Sequence, residues 1–172
     1  MTTATLKASM AIAETGAGAV GSSVYWNGAL EYLQVLSDGT TAGKADLSYV
    51  AEVTVASGAN SDLDLAGVLA DALGNTIAAA ELVAIMIKNI QLDGTANTTD
   101  LTLDGSVTAS FVGFLDATST IGPIKPGGVF FMAAGDAAGI GTVTATTADI
   151  LRITNSAGAT NKFMIAILAR SA

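Results

Sequence analysis

The sequence predicts an all-β domain: a β-sandwich of jelly-roll-like or immunoglobulin-like order, with at most one or two short helical turns and an N-terminal arm. Three observations carry this. Turn dipeptides of the Asn-Gly and Asp-Gly kind punctuate the chain every ten residues or so. Apolar and polar residues alternate between them, as in Asp62-Leu-Asp-Leu65 and Glu52-Val-Thr-Val55. The C-terminal half is rich in short Val, Ile and Phe runs bounded by Gly and Pro. No fixed-period repeat argues for a solenoid or propeller.

Residues 1–22 are dominated by Thr, Ala, Gly and Ser, and bury too little to offset their ordering entropy. They are expected as an arm, free in solution or ordered against a neighbour, with residues 23–172 forming the sandwich. Leu6, Met10 and Ile12 stand at alternate or near-alternate spacing and are the candidate partner-binding residues of that arm. Val24-Tyr-Trp26 and Leu30 to Leu36 flank Asn27-Gly28, which reads as strand–turn–strand. Tyr49 to Val55 is the next strand, and Ser57 to Ser61 a loop. In Asp62-Leu-Asp-Leu65 the acids belong to the solvated face of an edge strand. Val68 to Leu73 is expected as one or two helical turns. Glu81 to Ile90 has mixed signals, but its β-branched residues and the Asp93-Gly94 turn favour a buried strand. Leu101 to Leu103, Val107 to Leu115, Val129 to Met132, Ile150 to Thr154 and Phe163 to Leu168 complete the strands. Pro123 to Gly128, Gly135 to Gly141 and Asn155 to Gly158 are turns or loops.

The chain has 172 residues, enough for one domain that buries roughly 70% of its extended-chain surface without a disulfide or metal. It has neither His nor Cys, which removes histidine triads, thiol nucleophiles and the usual zinc and haem ligands. No cofactor is expected. Fifteen acids against seven bases give a net charge of −8, a field that repels nucleic acid and anionic membranes. No run of about 18 strongly apolar residues exists, so no spanning helix and no membrane partner are expected. The N-terminus is too weakly basic and apolar for a signal peptide.

Carboxylates are the remaining catalytic material. Asp62 and Asp64, two apart on a strand, lie about 7 Å apart, a spacing compatible with an inverting sugar hydrolase. The segment lacks stacking aromatics, and the edge-strand reading accounts for it. Asp93 to Asp100 is rich in oxygen ligands but lacks the spacing of a calcium loop. Gly16-Ala-Gly-Ala-Val-Gly21 has dinucleotide-loop spacing with no strand–helix context around it. No catalytic, cofactor or metal residue is assigned, and the chain is expected not to be an enzyme.

The order of Leu36-Ser-Asp-Gly-Thr-Thr-Ala-Gly-Lys-Ala-Asp46, Leu63-Asp-Leu-Ala-Gly67, Asp71-Ala-Leu-Gly74, Pro126-Gly-Gly128 and Asp149-Ile-Leu-Arg-Ile-Thr-Asn155 resembles small virion structural proteins of tailed bacteriophages. The likeness covers roughly residues 30–170 and brings no catalytic residues. It implies a capsid decoration or cement protein on the head exterior, made in the host cytoplasm, with the major capsid protein as partner. A tail or adhesion module recognising a host surface is the alternative, and an acidic carbohydrate hydrolase the third. Val129-Phe-Phe-Met132 and Phe163 to Leu168 are apolar at successive positions, so both faces of each strand need cover. A homo-oligomer is therefore expected, a trimer by preference.

Overall fold

A computed structural model describes residues 1–17, 23–105, 107–115 and 118–172. Among them the chain is all-β, with thirteen strands and no helix. Two long strands come first, β1 (Ala4–Ala17) and β2 (Ser23–Leu36), paired only with each other as an antiparallel ribbon. Then follow β3 (Leu47–Val55), β4 (Asn60–Asp64), β5 (Ala66–Ala70), β6 (Thr76–Ala78), β7 (Glu81–Lys88) and β8 (Leu101–Asp104). The rest are β9 (Thr120–Ile124), β10 (Val129–Ala133), β11 (Gly141–Thr142), β12 (Ile150–Asn155) and β13 (Asn161–Arg170).

Two antiparallel sheets make the sandwich. One has the order β10-β7-β13-β3, with β11 pairing beside β10 on β7; the other is β4-β12-β8-β9. Counting only β3, β4, β7, β8, β9, β10, β12 and β13, the first sheet takes the first, eighth, third and sixth strands. The second takes the second, seventh, fourth and fifth. That is the order of a jelly roll, so of the two topologies anticipated the immunoglobulin-like one is not adopted. β5 and β6 form a small separate hairpin.

Alternation places the core. Ile85, Ile87, Phe163, Ile165 and Ile167 point inward from one sheet, and Leu101, Leu103, Leu151 and Ile153 from the other; all are buried. Each such side chain contributes about 1.5–3 kcal/mol relative to exposure. Polar groups inside are tied down. Asn89 donates to the carbonyls of Thr99 and Ile124 and accepts from the side-chain amides of Asn97 and Asn161, at 2.8–2.9 Å. Arg170, 1% exposed, pairs with Glu81 at 2.6 Å and donates to the carbonyls of Lys44, Ala137 and Asp136.

Four expectations are corrected. Asn27-Gly28 is not a turn: β2 runs through it, with Asn27 opposite Ala13 and Gly28 opposite Ile12. The long complementary strand β1 holds that segment extended, overriding its turn propensity. Residues 107–115 are not a strand but a loop that inserts Phe111 and Leu115 into one end of the core. Its backbone crosses that of Gly141 so closely that a Cβ on Gly113 would lie 2.6 Å from the Gly141 Cα. Val68 to Leu73 forms the end of β5 and a turn held by Asp71 rather than helical turns. The arm's ordering partner is its own chain: β1 pairs β2, which lies beyond the boundary expected at residue 22, and the sandwich strands begin at Leu47. Residues 18–22 of the expected arm, and with them most of the Gly16–Gly21 string, lie outside the described residues.

Candidate functional site

The ribbon is the unusual element. Fourteen residue pairs at about 3.4 Å rise give it a length of roughly 45 Å. Residues opposite one another share a face, so its even-numbered positions form one side. At the root of that side, Leu6 and Leu36 are buried against Val83, Ala84, Phe131 and Leu168. Tyr32 meets the Phe131 ring at a centroid distance of 6.2 Å. The hydroxyl of Thr2 donates to the Asp46 carbonyl and fixes the ribbon's start.

Further out, cover stops. Met10 and its partner Leu30 are 64% and 80% exposed, and Ile12 is 43% exposed. Leu33 and Val35, on the opposite face, are exposed too. The ribbon thus carries apolar side chains into solvent on both faces.

The sheet beneath the ribbon root has a matching property. Its outward side chains fall in rows fixed by register. Ser48, Leu168, Ala84 and Ala133 form the row at the root of the ribbon. Val50, Ala166, Met86 and Phe131 form the next, and Glu52, Met164, Lys88 and Val129 the one beyond. The middle row is wholly apolar, with Val50 exposed and its other members half-buried. Between this row and Thr5, Leu6 and Lys7 of β1 lies an open apolar cleft of about 290 Å³. A second cleft of about 500 Å³ lies between residues 1–3, β3 and the Asp71–Asn75 turn. Its acids are engaged: Asp46 accepts from Ser171, and Asp71 from Asn75, whose side-chain amide holds that carboxyl below its ordinary range.

The outer face of the other sheet is polar. Asp62 on the edge strand β4 accepts from both Nε and Nη2 of Arg152, at 2.6 and 2.7 Å. These hydrogen bonds hold the Asp62 carboxyl below the usual carboxylate range. Asp64 accepts from the Ala66 amide, while Leu63 and Leu65 point into the core. In the Asp93–Asp100 loop, Asp93 accepts from the Thr95 amide and Asp100 pairs with Lys125 at 2.6 Å. Among the described residues no three acids gather as a metal site.

Of the residues singled out by sequence, Leu6, Met10 and Ile12 do share one face, but Leu6 is only 7% exposed and anchors the ribbon to its own body. Leu30, Leu33 and Val35 were not found from sequence; Phe131 and Ala166 belong to the two runs read as needing cover on both faces, but their row with Val50 and Met86 was not found. Leu30 becomes a site residue only through the β1–β2 register, and the sheet row only through pairings across distant strands. No protein family, curated protein or solved structure matches the chain.

Proposed function

We propose that this chain is a non-enzymatic structural component of a virion: a decoration protein on the outside of a tailed-phage head, bound to the major capsid protein and bridging its subunits. The observation that carries the reading is the ribbon, a long arm on which Met10, Leu30, Leu33 and Val35 leave apolar surface exposed on both faces. A rigid two-stranded arm loses less entropy on docking than a coil, because its backbone is already ordered. Many copies on one shell add multivalency even where each contact is weak. The jelly-roll order recurs in viral capsid and lectin domains, a support by analogy only. Both carboxylates of the hydrolase alternative are already engaged, Asp62 by the Arg152 guanidinium and Asp64 by the Ala66 amide.

The test uses purified heads of a phage lacking this protein. The intact chain is expected to bind them, and the double variant Leu33→Asp/Val35→Asp, altered only at exposed ribbon positions, to bind at least about 10-fold more weakly. Wild-type affinity of that variant overturns the ribbon as the attachment element. Binding of the intact chain to tails or host cells but not to heads overturns decoration in favour of the adhesion alternative.

A further inference from the structure

We infer that the even-numbered face of each ribbon seats on the outer sheet face of a second copy of this chain, across the row Val50, Ala166, Met86 and on to Met164. The inference rests on the proposed function only in dividing the ribbon's two faces. The even face joins copies to one another, and the Leu33/Val35 face is left for the shell.

The chain already makes this contact once. At the ribbon root, Leu6 and Leu36 lie on Ala84, Phe131 and Leu168, apolar stripe on apolar sheet. Both surfaces then continue past the point where they separate. On the ribbon the same stripe runs on through Met10, Ile12 and Leu30, and on the sheet the same face runs on through Val50, Ala166 and Met86. Beside the Tyr32–Phe131 contact the apolar cleft between Thr5, Leu6 and Lys7 and the Val50 row stays open. One chain therefore exposes both halves of a contact whose chemistry it has already used. Ala8, Met10, Ile12, Leu30 and Tyr32 are uncharged, as is the middle sheet row, so seating this part of the stripe on that row strands no charge; the one acid at an even-numbered position of β1, Glu14, stands further out, opposite Trp26. In the far row Met164 lies between Glu52 and Lys88, so the seat reaches charged neighbours only at that edge.

Area decides the form of the assembly. The ribbon beyond Ala8 is nine pairs long, so one face covers roughly 300 Å² by strand dimensions. That is well under the roughly 800 Å² per partner of a stable interface. A single ribbon contact does not hold two copies. In a closed ring every copy gives one ribbon and receives one, which doubles the buried surface and makes dissociation require two breaks.

The chain's lack of cysteine makes the test direct. Two single-cysteine full-length variants, Leu30→Cys on the ribbon and Met164→Cys on the sheet, are mixed under mild oxidation, with one carrying a mass tag. A disulfide-linked heterodimer is expected at several-fold higher yield than in a control pairing Leu30→Cys with Leu73→Cys, which is exposed on the β5–β6 turn. Light scattering of the intact chain at tens of micromolar is expected to give a closed multiple of 17.0 kDa. Leu30→Asp is expected to raise the dissociation constant about 100-fold or more with an unchanged melting curve, since Leu30 is 80% exposed in its own chain. A monomeric intact chain, or crosslinks no more frequent than the control, overturns the inference. Failure of Leu33→Asp/Val35→Asp to weaken head binding, with the ring intact, counts only against the proposed attachment.

Discussion

The sandwich body and the ribbon solve the same problem in opposite ways. In the body, the inward apolar faces of the two sheets meet each other, and buried polar groups such as those of Asn89 and Arg170 are tied into networks. In the ribbon the root is covered, whereas beyond it Met10, Ile12 and Leu30 are exposed and the backbone pairs with one partner strand. An isolated two-stranded hairpin is marginal in water, whereas a sandwich is cooperative. Stability is therefore concentrated in residues 47–170, while the unsatisfied surface is concentrated in residues 4–36. Docking by the arm, as proposed above, would give reason to keep the two apart.

The comparison is broken most sharply by Arg170→Ala. It leaves the Glu81 carboxylate and three carbonyls without their donor, for a loss of about 3–5 kcal/mol. At this chain length each kcal/mol lowers Tm by about 2–4 °C, so urea or thermal melts should register it plainly. Asn89→Ala comes next, at about 2–4 kcal/mol, because two buried carbonyls and the amides of Asn97 and Asn161 lose partners together.

Asp62→Asn should cost only about 0.5–1 kcal/mol, since the ion pair is partly exposed. Its pH dependence has a fixed sign. The folded-state pKa is depressed, so the stabilisation is present above the ordinary carboxylate range and fades as pH falls through the lowered value. Denaturant midpoints of wild type and Asp62→Asn should therefore differ at neutral pH and converge in strong acid. Smallest of all, Leu33→Asp/Val35→Asp should leave global stability within about 0.5 kcal/mol. Hydrogen exchange sharpens the contrast: in a dilute monomer the distal ribbon amides should exchange far faster than those of β7 and β13.

Much of the body was legible in the sequence because its alternation has one physical cause, a single buried face per strand. Asp62-Leu-Asp-Leu65 and Ile150-Leu-Arg-Ile-Thr154 show it plainly. Glu81–Lys88 was harder: Leu82, Val83, Ala84 and Ile85 are all buried, since the ribbon root covers the outer face there. The ribbon was misread because local composition dominates a reading made without pairing. Asn27-Gly28 is a strong turn signal in isolation, and only a facing strand as long as β1 keeps it extended. Val107 to Leu115 failed for a related reason. Its aromatics are core residues, yet they enter from a loop, and Phe111 packs edge-on against Phe114 at 5.4 Å rather than along a sheet. The parity of Leu6, Met10 and Ile12 was visible, but which of them the chain uses for itself depends on Phe131 and Leu168, far away in sequence.

The position of β13 sets a timetable for synthesis. Among the described residues β3 has β13 as its only strand partner in the sheet, and the two are separated by about 100 residues. At about 5–20 residues per second, β3 emerges from a ribosome about 5–20 s before the strand that pairs with it. Throughout that interval Tyr49, Val50, Val53 and Val55 form an unpaired β-prone segment, open to the same segment on neighbouring nascent chains. Slowing translation between residues 55 and 161 should lengthen this window and lower the soluble yield, whereas a ribbon variant should leave the window unchanged.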